Sequence, residues 1–383
     1  MWSRTGVLLL FLTLGLGSEL KRSYKDYAIV RVYANNTEQQ DLLREFIEAN
    51  PNNVQYGKEG KDEIDLILSP DFVARTLDLA QNVWNLDTWI VENDLQRAID
   101  EENSEEIEQS EMQRAFNSGD EDLKLEENSC FGAFDFRSYH HFNVIADFID
   151  CIGRSYPEVA KVIDIGKSTE GRPIKVVKIS KPGTQASKSI FIEGGIHARE
   201  WISPSSALYI MYLYIARNDK FPDIFNHYDV YILPVLNPDG YEYTHTTDRM
   251  WRKTRSKHGR CYGVDPNRNF DYKWGGQGTS GYACSDIYRG RRPFSEPELR
   301  ALRDFIMPRK DEFILYLALH SYGQYILYPW GYERKDARNV KELKKLGEIG
   351  ANAASFKYQV GNSAKLLYPA AGNYKMKLLS VPL

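Results

Sequence analysis

Four apolar segments that lack the alternation of half-exposed strands constrain the fold most. They cover residues 175–179, 189–193, 229–236 and 313–319. Near-continuous apolar strands of this kind belong to sheets whose two faces are both covered. Helical spacing at 142–152 and 202–217 supplies covering layers. Residues 128–383 are therefore predicted to form an α/β domain, with a ligand site beyond the carboxyl ends of its strands.

The preceding residues 19–98 are predicted to form a smaller unit. Strand patterns and helical patterns alternate there in the order 27–33, 37–48, 63–68, 71–80 and 83–91. Two helices among three edge-type strands suit a compact α+β open sandwich with an antiparallel sheet.

The amino terminus has the features of a secretory signal. A charged start is followed by an apolar run at 5–16 and by small residues at 17–18. We therefore expect residues 1–18 to be removed and the protein to be secreted; an uncleaved membrane anchor is the alternative. The four cysteines then favour two disulfides. Three connectivities are possible, and proximity in the sequence selects Cys130–Cys151 and Cys261–Cys284.

Charge excludes one class of partner. The chain has 49 Lys and Arg against 53 Asp and Glu, so no basic excess is available for a nucleic acid. The signal holds the one long apolar run. We therefore expect that the protein does not contact a membrane once the signal is removed. We also expect it to be a monomer.

An acidic segment at 99–127 joins the two predicted units. Twelve acidic residues lie between Asp100 and Glu127, with Arg114 and Lys124 as the two basic ones. Such a run stays solvated, so it is predicted to be a helix followed by a linker. Its simplest role is that of a connector. Its sharper role is that of an activation segment, cut by a trypsin-like protease at Arg114.

Two histidines and one glutamate are candidate metal ligands. His197 and Glu200 are three residues apart just after the apolar segment 189–193, and His320 ends the segment 313–319. For either histidine alone, an ordinary core or turn residue is the simpler explanation. Because both follow buried strands at the same edge of the sheet, we expect them to converge. Two histidines and one carboxylate with an open fourth position are typical of catalytic zinc.

Arginines cluster near the same edge of the sheet. Arg249 and Arg252 lie in one short segment, and Arg268 lies in a second, beside Asn267. Guanidinium groups facing a metal would hold a carboxylate or stabilise a developing oxyanion.

The motifs HAREW, WRK, DPNRN and ALHSYGQ occur in this order. With them the chain resembles the zinc metallocarboxypeptidases of the A/B subfamily, which are also called pancreatic-type procarboxypeptidases. The resemblance extends from about residue 25 to 372. The resemblance implies a mixed central sheet with helices on both faces, preceded by a pro-domain at 19–98. It implies an exopeptidase zymogen that removes C-terminal residues from peptides and proteins, with the pro-domain covering the site until cleavage.

The resemblance also implies roles for individual residues. One zinc ion would be bound by His197, Glu200 and His320, and Asp265 would orient His197. Arg252 would face the scissile carbonyl and stabilise its oxyanion. The remaining implied substrate-binding residues are Arg199, Arg249, Asn267, Arg268, Ser321, Tyr322 and Tyr368. The pair Cys261–Cys284 fits the family disulfide, whereas Cys130–Cys151 is not a family-wide feature.

The resemblance stops after Gly372. The family continues with a strand that carries a general-base glutamate and with a closing helix, and residues 373–383 match neither. Glu200 is assigned as a ligand, and Glu193 is assigned to another motif. We therefore expect an incomplete sheet, poor stability and essentially no activity. The residue at the base of the specificity pocket is also unmatched, so the preferred C-terminal side chain cannot be assigned from the resemblance.

Three hypotheses follow for the whole chain. The first is a secreted procarboxypeptidase whose sequence is cut short or misread near its end. The second is a short isoform that binds zinc and peptide C-termini without turnover. The third is a non-catalytic structural or inhibitory product.

Overall fold

The computed structural model describes residues 21–102, 129–183, 186–216, 222–372 and 378–382. The predicted signal at 1–18 and the predicted cleavage site at Arg114 lie outside these ranges. Among the described residues, no helix has the length and apolar character needed to cross a membrane.

The amino-terminal unit is a four-stranded antiparallel sheet with helices packed on it. Its elements are β1 (Ala28–Tyr33), α1 (Thr37–Ala49), β2 (Val54–Glu59), β3 (Glu63–Leu68), α2 (Pro70–Asp78), β4 (Thr88–Glu92) and α3 (Leu95–Glu101). The strands are ordered β2-β3-β1-β4. Asn36 caps α1 by accepting a hydrogen bond from the Gln39 amide. Apolar side chains from the sheet and α1, such as Val30, Leu43 and Leu66, share one core.

Two details of this unit differ from the sequence prediction. The expected strand at 83–91 begins only at Thr88, because a π-helical turn at Leu79–Val83 extends α2. The strand β2 was not predicted. Its sequence VQYGKE contains few apolar residues, and the unit still uses it as an edge strand beside β3.

The larger unit contains the remaining elements. The helices are α4 (Cys130–Ala133), α5 (Phe142–Ser155), α6 (Ile202–Ala216), α7 (Pro222–His227), α8 (Pro238–Thr246), α9 (Pro297–Ile306), α10 (Val340–Ala353) and α11 (Ser363–Leu366). The strands are β5 (Ala160–Lys167), β6 (Pro173–Ile179), β7 (Lys188–Glu193), β8 (Tyr228–Leu233), β9 (Lys257–His258), β10 (Cys261–Tyr262), β11 (Phe313–His320), β12 (Tyr325–Tyr328), β13 (Gln359–Asn362) and β14 (Leu378–Pro382).

Eight of these strands form one mixed sheet in the order β13-β12-β14-β11-β7-β8-β6-β5. Its central strands β14, β11, β7 and β8 run parallel to their neighbours in this group. The helices α5 and α6 cover one face around Ile149 and Met211. The helix α9 covers the other face through Leu302 and Phe305. The predicted mixed α/β fold with helices on both faces is therefore confirmed.

The expectation of an open position in this sheet is wrong for the described residues. The strand β14 lies between β11 and β12, and its register places Pro382 beside His320. Backbone groups of β11 that a missing strand would leave unpaired are therefore paired with β14.

Both disulfides predicted from sequence proximity are present. Cys130 is bonded to Cys151 and Cys261 to Cys284, with Cα–Cα distances of 5.8 and 5.2 Å. These distances are typical of disulfides. The first ties the short α4 to α5, and the second ties β10 to the loop that precedes α9.

A buried glutamate at the start of α9 limits stability above neutral pH. Glu298 is 0% exposed. Its Oε1 accepts a hydrogen bond of 2.8 Å from the Thr169 amide, and its Oε2 has no hydrogen-bond partner among the described residues. Burial, with repulsion from Glu296 and Asp239, raises the pKa of Glu298 to about 7. The fold therefore favours the protonated acid.

We predict that Glu298→Gln stabilises the protein at pH 8 and leaves it unchanged at pH 4.5. A raised pKa in the folded state gives stability that is full below the unfolded pKa and is lost as the pH rises through 7. The amide lacks this loss, so the gain at pH 8 should be on the order of 2–3 kcal/mol. Urea unfolding at both pH values measures it. The exposed Glu158→Gln is the control, and a gain independent of pH would contradict the prediction.

Candidate functional site

The turn after β7 brings the first two candidate ligands to the carboxyl edge of the sheet. Gly195 has φ +64°, and a Cβ at Gly194 would lie 2.8 Å from the Pro234 carbonyl oxygen. The glycine pair therefore allows a close approach to the segment after β8 that a larger residue would block. His197 and Glu200 follow in the short connection to α6.

Ser203, in the first turn of α6, fastens this turn to β11. Its Oγ accepts a hydrogen bond of 2.9 Å from the Gly195 amide and donates one of 2.6 Å to the Leu319 carbonyl. Leu319 immediately precedes His320. One buried hydroxyl thus fixes the two segments that carry the candidate histidine ligands.

The three candidate ligands converge as predicted. The Nδ1 atoms of His197 and His320 are 3.2 Å apart. Glu200 lies against both, with Oε1 2.7 Å from His197 Nδ1 and Oε2 3.0 Å from His320 Nδ1. Two imidazole nitrogens and a carboxylate therefore point at one another at short distances. All three groups can donate an electron pair to a metal ion. This donor set fits zinc, which favours imidazole and carboxylate ligands in such groups.

Asp265 lies behind His197. Its Oδ1 is 3.3 Å from His197 Nε2, on the ring edge opposite to Glu200. Asp265 is fully buried. Burial alone would raise its pKa, but Arg252, Arg268 and His197 hold the pKa well below its usual value. The histidine is thus held between two carboxylates, an arrangement that fixes the orientation of its ring.

Glu200 is an anion for a related reason. Burial opposes its charge, but His197 and His320 together lower the pKa of Glu200 below its usual value. Its Oε2 also accepts a hydrogen bond of 3.2 Å from the Ser321 amide. Glu200 is therefore ready to bind a cation.

Arg252 and Arg268 face the same cavity as the metal donors. Arg252 donates to Asp265 Oδ2 from Nε and Nη2, at 3.1 and 3.0 Å, and its Nη1 lies 3.8 Å from Glu200. Arg268 donates from Nε to the Gly278 carbonyl and from Nη2 to the Tyr368 hydroxyl, both at 2.7 Å. Burial would lower the pKa of Arg252, but Asp265 and Glu200 raise it. The Arg252 guanidinium therefore remains a cation.

Arg199, Arg249 and Tyr322 contact the amino-terminal unit. Arg199 donates 2.9 Å to the Gly57 carbonyl, and Arg249 forms an ion pair with Glu102. The Tyr322 hydroxyl donates to Asp65. Burial, followed by the Asp65 charge, raises the pKa of Tyr322. Residues of β2, β3 and the end of α3 thus contact the side of the cavity that is lined by these three side chains.

One cavity of about 470 Å³ brings the predicted site residues together. Its walls include His197, Arg199, Glu200, Arg249, Arg252, Asn267, Arg268, His320, Ser321, Tyr322 and Tyr368. Asp265 does not line the cavity and lies behind His197.

Three acidic residues that line this cavity, Glu59, Glu102 and Glu193, were not predicted from the sequence as site residues. Glu193, assigned there to another motif, also lines the wall and is 2% exposed. A possible signal was its position as the charged end of the apolar strand SIFIE.

The chain matches the family model Peptidase_M14, described as zinc carboxypeptidase, over residues 145–376. It is 42% identical to a carboxypeptidase B of Astacus astacus over 62% of this chain and 80% of that protein. It is 31% identical to a zinc carboxypeptidase A 1 of Anopheles gambiae over 97% of this chain and 83% of that protein.

Solved structures give the same result for the fold. A carboxypeptidase A from Helicoverpa armigera superposes with a TM-score of 0.79 at 27% identity, covering 94% of this chain and 89% of the other. A thrombin activatable fibrinolysis inhibitor superposes with a TM-score of 0.74 at 28% identity, covering 94% and 90%.

We predict that Ser203→Ala destabilises the protein by about 1–3 kcal/mol and weakens zinc binding. The substitution leaves the Gly195 amide and the Leu319 carbonyl without their buried partner, and it frees the two histidine-bearing segments to separate. Urea unfolding and zinc titration measure the two effects. Ser206→Ala, in the same helix and half-buried, is the control; equal stability and zinc affinity of the two variants would contradict the prediction.

Proposed function

The chain belongs to the zinc carboxypeptidase family, and from this premise we propose that its cavity binds the free C-termini of peptides and proteins. By family it is a metallocarboxypeptidase hydrolase. The observation that carries the proposal is the convergence of three metal-donor side chains beside the buried guanidinium of Arg268.

One zinc ion would be held by His197, Glu200 and His320. When bound, zinc supplies Lewis-acid polarisation of a carbonyl group and of water. The role proposed for Asp265 is to orient His197 and to maintain its basicity. This role is supported by the position of Asp265 at the far nitrogen of the imidazole.

The arginines would position the peptide. Arg268, with Asn267, would bind the terminal carboxylate, and Arg252 would face the carbonyl oxygen of the last peptide bond. The hydroxyl of Tyr368 accepts a hydrogen bond from Arg268 Nη2. A bound carboxylate would therefore replace that contact. Arg199, Arg249, Ser321 and Tyr322 would line the path of the peptide.

Hydrolysis also needs a group that takes the proton from water, and no suitable carboxylate lines the cavity among the described residues. Glu59 and Glu102 are paired with Arg44 and Arg249, and Glu200 is a proposed ligand. Glu193 is level with Ala318 in the sheet, two residues away from the row of His320. The register of β14 puts Pro382, which has no carboxylate, beside His320. A missing base typically costs ~10²–10⁴ in rate. We therefore propose that these residues support binding of zinc and C-termini with little turnover.

The amino-terminal unit would act as the pro-domain of a secreted zymogen. Gly57, Asp65 and Glu102 contact three of the proposed substrate-binding residues. A trypsin-like protease that cuts at Arg114 would release this unit. The same contacts would then be open to a peptide.

Arg268→Lys should reduce the affinity for peptides with a free C-terminus by about 10- to 100-fold and leave the affinity for amidated peptides unchanged. Lysine keeps the charge but not the planar pair of donors, and hydrogen bonds to charged groups contribute ~1.5–3 kcal/mol. Calorimetric titration of the zinc-loaded protein measures both affinities. Arg300→Lys, whose arginine donates to Phe294 and Ser295 outside the cavity, is the control. Equal losses for free and amidated peptides would refute carboxylate binding by Arg268.

Limited trypsin digestion should raise the affinity for C-terminal peptides by about 10-fold or more, because the competing contacts of the amino-terminal unit are then removed. Arg114→Gln should abolish this increase, and Lys124→Gln should retain it. Peptide titration before and after digestion, with mass spectrometry of the fragments, gives the result. An undiminished increase in the Arg114 variant would show that activation does not depend on cleavage there.

A further inference from the structure

A second cavity, of about 520 Å³, lies between the two units of the chain. One wall comes from the end of α1, the turn after it and the start of β2, and includes Ile47 and Val54. The opposite wall comes from the segment between α8 and β10 and includes Trp251, Arg255 and Tyr262. This cavity shares no lining residue with the cavity that contains the metal donors. It therefore needs an explanation of its own.

Three aromatic rings surround the Arg255 guanidinium. Its central carbon lies 3.5 Å from the ring centroid of Tyr243, 4.8 Å from that of Trp251 and 4.9 Å from that of Tyr262. The side chain is 11% exposed. Such contacts compensate part of a cationic charge, but the ring faces do not replace the oxygen acceptors that N–H groups need.

The N–H groups of Arg255 lack these acceptors in the part of the chain that the structure describes. Its buried Nε has no hydrogen-bond partner there. The Oε1 atom of Glu170 lies 3.8 Å from this Nε, which is too long for a hydrogen bond. The other carboxylate oxygen of Glu170 accepts a hydrogen bond of 2.6 Å from Arg172. A largely buried guanidinium is therefore left with donors that an added oxyanion could satisfy.

Two more cations line the same wall. The Nζ atom of Lys253 lies 5.7 Å from the centroid of the Trp251 ring that Arg255 also contacts. Burial lowers the pKa of Lys253 to about 8, and the Arg255 charge acts in the same direction, whereas Asp286 opposes it. Arg260 also lines the cavity. This wall thus has positive charges close enough to disfavour one another.

The acidic residues of the cavity compensate these cations only in part. Asp248 is already paired with Arg22, and it accepts a second hydrogen bond from the Tyr24 hydroxyl. Asp286 lies 4.0 Å from Arg199. Glu48 belongs to the opposite wall, on α1. The cavity as a whole has four basic and three acidic residues, and the wall around Arg255 keeps its positive charge.

We propose that this second cavity is an anion site that binds a phosphate or sulfate group, with Arg255 as its principal contact. The group may be a free ion or part of a small organic ester, because the volume lies in the range of small-molecule sites. The guanidinium offers a planar pair of donors that matches two oxygens of such a group. Three cations on one wall favour its double charge over the single charge of a carboxylate. The inference is independent of the proposed binding of C-termini.

The test is a calorimetric titration of the full chain with inorganic phosphate, sulfate, phenyl phosphate and acetate at pH 7.5 and constant ionic strength. Phosphate should bind about 5-fold or more tightly than acetate. Arg255→Gln should reduce the affinity for phosphate and for phenyl phosphate by about 10- to 100-fold, because the paired charged hydrogen bonds are lost. Arg303→Gln removes an arginine that lines neither cavity and pairs with Asp304, and it should retain the parental affinity.

Two further measurements separate this site from the metal donors and Arg268. The titration is repeated with a chelator, and with Arg268→Lys; phosphate binding at Arg255 should persist in both. Binding that disappears with the chelator or in Arg268→Lys, but persists in Arg255→Gln, would place the anion in the other cavity and overturn the proposal. Equal losses in Arg255→Gln and Arg303→Gln, acetate binding as tight as that of phosphate, or no binding of any anion would also overturn it. If Arg255→Gln fails to fold, Arg255→Lys keeps the charge, removes the planar pair of donors and should still weaken phosphate binding.

Discussion

A buried network of charges holds the site together. Asp265 and Glu200 are both buried, and they are compensated by two imidazoles and by the guanidinium groups of Arg252 and Arg268. An unpaired ion in such a place costs several kcal/mol. The partners come from the turn after β7, the end of β11 and two loops between α8 and α9. All of these segments must be correctly placed for the whole set of charges to be satisfied.

The two units of the chain meet through other arginines that line the same cavity. Arg199 and Arg249 belong to the larger unit and find a carbonyl and a carboxylate in the smaller one, at Gly57 and Glu102. A bound peptide would offer the same two kinds of hydrogen-bond acceptor, namely backbone carbonyl groups and carboxylate groups. A second ion pair joins Arg22 to Asp248, away from the metal donors. The proposed inhibition by the smaller unit therefore needs no distortion of the site. The Gly57 carbonyl and the Glu102 carboxylate already contact the arginines that would bind the hydrogen-bond acceptors of a peptide.

The sequence predicted those features that depend on short-range patterns. Continuous apolar runs identified β7, β8 and β11, and His320 could be placed at a sheet edge because it ends one of them. The strands β2 and β12–β14 carry weaker or shorter patterns. β2 is an edge strand paired with the adjacent β3, whereas β12, β13 and β14 pair with strands that are distant in sequence. Glu193 was missed for the same reason. Its position at the end of an apolar strand is a local signal for a buried charge, but the cavity that it faces depends on the register of β7 with β11.

Binding and turnover make separate demands on this architecture. Binding needs a cation for the terminal carboxylate, a wall for the side chain and donors for a metal, and the described residues offer all three in one cavity. Turnover needs in addition a base whose interaction strengthens in the transition state. The row of the sheet that contains His320 has Pro382 in β14, while the carboxylate of Glu193 lies one row deeper. Glu193 is therefore displaced by ~6–7 Å along the sheet from the row that holds the metal donor His320.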